Sequence, residues 1–218
     1  MHTPVRLLAA LLLLPGLAVG GCSGDNAEKP QVAVTLPGGS LAMKVLQAED
    51  VPDGLVPILA QTGPADISRI AGFSADSTAA EKSLREHGFD EAYVVQYGDQ
   101  KSGRFIVNVV ATFDSEDGAI ADLTADLDSA RQTGTPFPID DLGDQAGGVR
   151  SARATASTAP SGSAAPSSSA APTNDFDLVT VRWRRGNTTW LLAVGARGTV
   201  EQEAVVKLAR LVLARADA

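Results

Sequence analysis

Few side chains in this chain could carry chemistry. Its 218 residues include one cysteine, Cys22, and two histidines, His2 and His87. A nucleophile–imidazole pair could draw only on His87 once the N-terminus is removed, and no Gly-x-Ser-x-Gly elbow presents a serine to it. His87 stands just before Gly88 at the end of a predicted helix, where the helix dipole favours a cation, and it reads as a half-exposed structural cap. A single thiol forms no internal disulfide and no multi-cysteine metal site. Asp140, Asp141 and Asp144 cluster, but a calcium loop alternates its oxygen ligands around a tight turn and closes with a bidentate acid. Leu142 breaks that spacing, so the segment reads as a solvated acidic turn with no metal ligand. Gly98 and Gly103 have the spacing of a phosphate loop. Arg104 and Phe105 follow where Lys and Ser or Thr are needed, and the segment joins two predicted strands, so it is a hairpin turn. No catalytic residue and no cofactor is assigned.

The basic residues gather in one place. Arg182 and Arg184 share a strand face expected to point outward, and Arg185 follows. With Trp183 or Trp190 at a groove mouth, this face is the candidate ligand or partner surface, suited to an anionic polymer or lipid headgroup. Protection of an exposed strand by charge explains the same residues without a ligand. Elsewhere acid dominates: 18 Lys and Arg against 26 Asp and Glu give a formal charge of −8. A nucleic acid or a polybasic membrane surface requires a clustered positive field, so both are excluded as functions. Asn187-Thr188-Thr189 matches a glycosylation sequon but sits in a tight turn and is discounted.

The N-terminus supplies an address. Arg6 precedes the aliphatic run Leu7–Leu14, and small residues lead to Cys22, which is the three-part pattern of a secretory signal over residues 1–21. The run is shorter than the ~20 residues that span a bilayer. Val19-Gly20-Gly21-Cys22 resembles the lipobox of bacterial lipoproteins, in which the cysteine thiol receives a diacylglycerol before cleavage leaves it first in the chain. The resemblance implies lipidation of Cys22, with acyl chains that each gain about 0.8 kcal/mol per buried methylene. Cleavage removes Arg6 and no acid, which takes the formal charge from −8 to −9. Residues 22–34 then form the lipidated start and a short polar tether.

The elements that must position any site lie in 35–218, expected as a single α+β domain. Thr78–Glu86 reads as a helix with Thr78 and Glu81 at capping-box spacing. Tyr93, Val95 and Tyr97 alternate, the turn at 98–103 follows, and Phe105, Val107, Val109, Ala111 and Phe113 recur at period two. Ser115 can cap a helix whose apolar stripe is Ala119, Ile120, Leu123 and Leu127. Val179, Val181 and Trp183 alternate with Thr180, Arg182 and Arg184, and Trp190, Leu192 and Val194 return the chain as a hairpin. Thr199 to Gln202 is a capping box opening a last helix, with Val200, Ala204, Val205, Leu208, Leu211 and Val212 on its buried side. The expected architecture is an antiparallel sheet with helices packed on one face. Between these halves, Ser151–Asn174 is almost wholly Ala, Ser, Thr and Pro. Such a stretch buries too little apolar surface to offset its chain entropy. It is expected to be a disordered surface-loop insertion over 151–174, open to O-glycosylation.

The layout resembles secreted lipoproteins of actinobacterial type. The residues that carry the likeness are Asp50-Val51-Pro52-Asp53-Gly54, the Asp-Leu-Gly-Asp-x-Ala segment at 141–146, the Trp183–Asn187 hairpin and the terminal helix. Such domains are similar to extracellular sensor domains of receptor kinases, which bring paired disulfides that this chain cannot form. The resemblance implies a sensor-like extracytoplasmic domain. The expected function is a non-enzymatic binding or interaction domain, anchored to the membrane through Cys22, with an unidentified envelope protein, polymer or apolar ligand as partner. The alternative is a carrier holding an apolar or lipid ligand between sheet and helices, and a hydrolase ranks last.

Overall fold

A computed structural model describes residues 35–74, 76–99, 101–154 and 175–217. The expected signal segment, Cys22, the expected tether and residues 155–174 therefore lie outside the described residues. After 3-10 turns at Ala42–Lys44 and Ala48–Asp50 come strand β1 (Val56–Pro57), a third such turn (Leu59–Gln61) and β2 (Gly63–Ala65). Helices α1 (Ile67–Ala71) and α2 (Ser77–Glu86) precede the hairpin of β3 (Phe89–Asp99) and β4 (Arg104–Phe113). Helix α3 (Glu116–Thr133) leads to β5 (Thr135–Phe137) and β6 (Gln145–Ala154), then β7 (Asp175–Arg185), β8 (Thr188–Arg197) and α4 (Gln202–Ala216). The strands form one eight-stranded sheet in the order β1-β3-β4-β8-β7-β6-β5, with β2 also paired to β3. Every strand pairing is antiparallel. No helix among the described residues is long and apolar enough to cross a membrane.

The antiparallel α+β sheet is as the sequence pattern predicts; the distribution of the helices is not. They occupy both faces. On one, α4 and the segment 36–51 cover Tyr93, Tyr97, Val110, Val181, Trp183 and Leu192. On the other, α1, α2 and α3 cover Ala92, Val94, Val109, Ala111 and Phe113. Antiparallel register carries these faces across the sheet: Val94, Val109, Leu191, Arg182 and Gly147 stand successively opposite one another, as do Tyr93, Val110, Trp190, Trp183 and Ala146.

Local signals explain most of the boundaries. The Ser115 hydroxyl accepts the Gly118 N–H at 3.1 Å, as a serine N-cap should. Helix α2 begins earlier than the capping-box spacing suggests, because the Asp76 carboxylate accepts the Ala79 N–H at 3.0 Å. Helix α4 has no side-chain cap, and its buried face is Val205, Ala209, Val212 and Leu213, while Leu211 is exposed. The low-complexity boundary also moves. Residues 151–154 continue β6 and pair with 175–178, so the strands on either side of 155–174 are neighbours in one hairpin.

Candidate functional site

The basic cluster does not form an outward surface. Arg182 and Arg184 do share a face, but α3 lies across it. Arg184 is 8% exposed and meets Glu116 at 2.9 Å and Asp144 at 3.4 Å. Arg182 is ion-paired with Asp126 on α3. Trp183 and Trp190 are buried on the opposite face, stacked with ring centroids 5.8 Å apart, so neither stands at a groove mouth. Of the candidate surface residues only Arg185 is well exposed, and it pairs with Asp217. Alternation distinguishes two faces of a strand but cannot tell water from a charged helix edge, and the acids of α3 and the neighbouring loops match these arginines.

The acidic turn is likewise committed to structure. The Asp144 carboxylate accepts the Gly186 N–H at 2.8 Å and so braces the β7–β8 turn against Arg184. Among the described residues no group of three His, Cys, Asp or Glu side chains is placed to hold a metal ion.

A cavity of about 120 Å³ lies between the sheet and α1–α3. Small side chains create it: Ala71 from α1, Ala80 from α2 and Ala111 from β4 leave space that the sheet-to-helix spacing does not close. Ile70, Leu84, Val109 and Leu191 supply apolar wall, and Phe73, half exposed, stands at its rim. One end is polar, formed by Asp122, Asp126 and Arg182, with Ser83 and Thr189 also lining the space. Asp122 and Asp126 are one helical turn apart on α3, which brings both carboxylates to the same edge.

The polar end is unevenly satisfied. The Asp122 side chain is 16% exposed, and its nearest charged neighbour from α2 is His87 Nδ1, 4.0 Å from Oδ1 and beyond hydrogen-bonding reach. Burial pushes the Asp122 carboxyl up to about 6, against the attraction of His87 and Arg182. His87 Nδ1 and Arg182 Nε are buried without a hydrogen-bond partner. His87 does occupy the C-cap position of α2. Its side chain is more buried than a surface cap, at 20% exposed, because α3 packs close by. That closeness depends on Gly118, where a Cβ would come within 2.0 Å of the His87 carbonyl oxygen.

Asp122 and Asp126 were not singled out by residue type. The available signal was positional: Asp122 adjoins Leu123 and Asp126 adjoins Leu127, so both acids flank the stripe that must face the sheet. On the other face, the counterpart is fully paired. Arg150 Nη2 donates to Asp177 at 2.7 Å, and Asp177 also accepts the Val200 N–H at 2.8 Å. The Arg150 hydrogen bonds hold the Asp177 carboxyl below the usual carboxylate range, against the effect of burial.

No protein-family model matches the chain, and no curated protein matches it in sequence. Among solved structures it is similar to the extracellular domain of PknH from Mycobacterium tuberculosis, with a TM-score of 0.41 and 8% identity. That similarity covers 78% of this chain and 93% of the other.

Proposed function

We propose that this protein is a non-enzymatic ligand-binding domain held on the extracytoplasmic face of a cell membrane by lipid on Cys22. The observation that carries the binding half is the cavity beneath α1–α3, which joins apolar walls to a polar end. Its volume of about 120 Å³ is close to that of the ~150 Å³ engineered cavity that accepts benzene. Drug-sized ligands occupy roughly 300 Å³ or more, so a small molecule fits this space and a whole acyl chain does not. This moves the carrier alternative from lipids to compact ligands. A hydrolase reading is weaker, because the one imidazole outside the signal segment, His87, is not among the groups lining the cavity. The address half rests on the signal pattern and the lipobox-like Val19–Cys22.

Two experiments test the two halves separately. Ala80→Leu places a large side chain in the cavity, so small apolar probes should shift methyl resonances of the unaltered protein and leave those of the variant unmoved. Equal responses from both would reject the cavity as a binding site. Cys22→Ala should release the protein from membranes under alkaline washing, whereas firm retention would reject the lipid anchor.

A further inference from the structure

We infer that the cavity beneath α1–α3 receives a small organic cation, an amine with a compact branched apolar body, whose ammonium group pairs with Asp122. The inference rests on the ligand-binding reading above and specifies its ligand class.

Charge at the polar end is only partly balanced. A buried carboxylate is costly unless it accepts hydrogen bonds or meets a cation. Arg182, on β7, is ion-paired with Asp126 one turn along α3 and also attracts Asp122, so one guanidinium serves two carboxylates. His87, at the end of α2, stands 4.0 Å from Asp122 Oδ1. Ser83 from α2 and Thr189 from β8 line the same space. Two carboxylates and one guanidinium leave this end with net negative charge, so an incoming anion meets repulsion despite Arg182. An ammonium group supplies a close hydrogen-bond donor to Asp122 and the second positive charge that this end lacks. The remaining lining accepts only a short hydrocarbon body, since the cavity that Ile70, Leu84, Val109 and Leu191 help to line holds about 120 Å³.

The acid's raised titration range adds a signature. Asp122 exchanges its proton near pH 6, so the ammonium finds an ionised partner above that range and a neutral one below it.

The test is a methyl-resonance titration of the full chain in detergent micelles with isobutylamine, isobutanol and isobutyrate, probes of nearly one shape and three charges. Near neutral pH, isobutylamine should bind at least tenfold more tightly than isobutanol, and isobutyrate most weakly. The amine's advantage should fall as the pH is lowered through about 6, and His87→Gln should keep that fall. Asp122→Asn, which removes a buried charge and so should fold, ought to abolish the advantage while isobutanol binding persists. Equal binding of amine and alcohol, or tighter binding of isobutyrate, overturns the amine inference and leaves the ligand-binding reading standing. Absence of binding by all three probes overturns both.

Discussion

The two faces of the sheet solve the same problem with opposite materials. The α4 face is filled by large side chains whose polar atoms are mostly paired, with Trp183 Nε1 buried and unpaired among them. Tyr97 donates to the Leu46 carbonyl at 2.9 Å, and Trp190 Nε1 donates to the Lys44 carbonyl at 3.0 Å. Asn108, fully buried, accepts the Leu46 N–H and donates to the Leu191 carbonyl, each at 2.9 Å. The α1–α3 face is built from alanines and valines, contains a cavity, and buries Asp122 with His87 Nδ1 left unpaired. Dense packing and a largely satisfied set of buried polar groups favour one rigid arrangement. Space and unsatisfied charge cost stability, and natural chains tolerate them at sites of function. The first face is the scaffold, and the second is where a ligand would repay what folding leaves unmet.

Adjacent residues of β8 give the sharpest test of that contrast. Leu192 is fully buried on the α4 side, and Leu191 lines the cavity. Leu192→Ala should cost about 3–4 kcal/mol in denaturant unfolding, and Leu191→Ala about 1–2, since part of its surroundings is already empty. Equal losses would mean that the two faces are packed alike.

Gly118→Ala comes next. The added methyl collides with the His87 backbone, and separating α2 from α3 should cost roughly 2–3 kcal/mol despite alanine's better helix propensity. A melting temperature at or above that of the unaltered protein would show that the helices are not closely apposed.

The two buried acids should then respond to pH with opposite signs. Asp122 binds its proton more tightly folded than unfolded, so its contribution is most favourable at low pH and is lost as the pH rises to about 6. Asp122→Asn should therefore stabilise the protein near neutrality, by about 1–3 kcal/mol. The Asp177 carboxyl is lowered, so its contribution is present above the ordinary aspartate range and is lost as the pH falls through its folded value. Asp177→Asn should destabilise the protein near neutrality by about 1–2 kcal/mol, because Arg150 is partly solvated. Stability curves of the two variants against pH that share a sign would dissolve the distinction. The smallest effect belongs to the exposed Arg185–Asp217 pair: Arg185→Ala should leave the melting temperature unchanged within error.

Much of the scaffold was legible in the chain. Period-two runs located the four long strands flanking the two hairpin turns, and Ser115 marked the start of α3. Strand β6 was harder to see because it carries Gly147 and Gly148 where a strand usually carries side chains. The structure shows why glycine is there. A Cβ on Gly147 would meet Leu127 of α3 at 2.9 Å, and one on Gly148 would meet the Phe137 ring at 2.1 Å. Neighbouring elements supply the side chains that this strand omits, and that substitution is invisible to any local pattern.

By itself, then, the order of residues determined the strands with strong alternation, and the pairing of Arg182 with Arg184 on one face and Trp183 on the other. Those features follow from local stereochemistry and spacing along a single element. Only the tertiary structure decided that α3 covers the arginine face, that Asp126 neutralises Arg182, and that Asp122 is left facing a cavity. Burial, pairing and empty space are properties of what lies across from a residue, and here the partners are some 60 residues apart in the chain, as with Arg184 and Glu116, separated by 68.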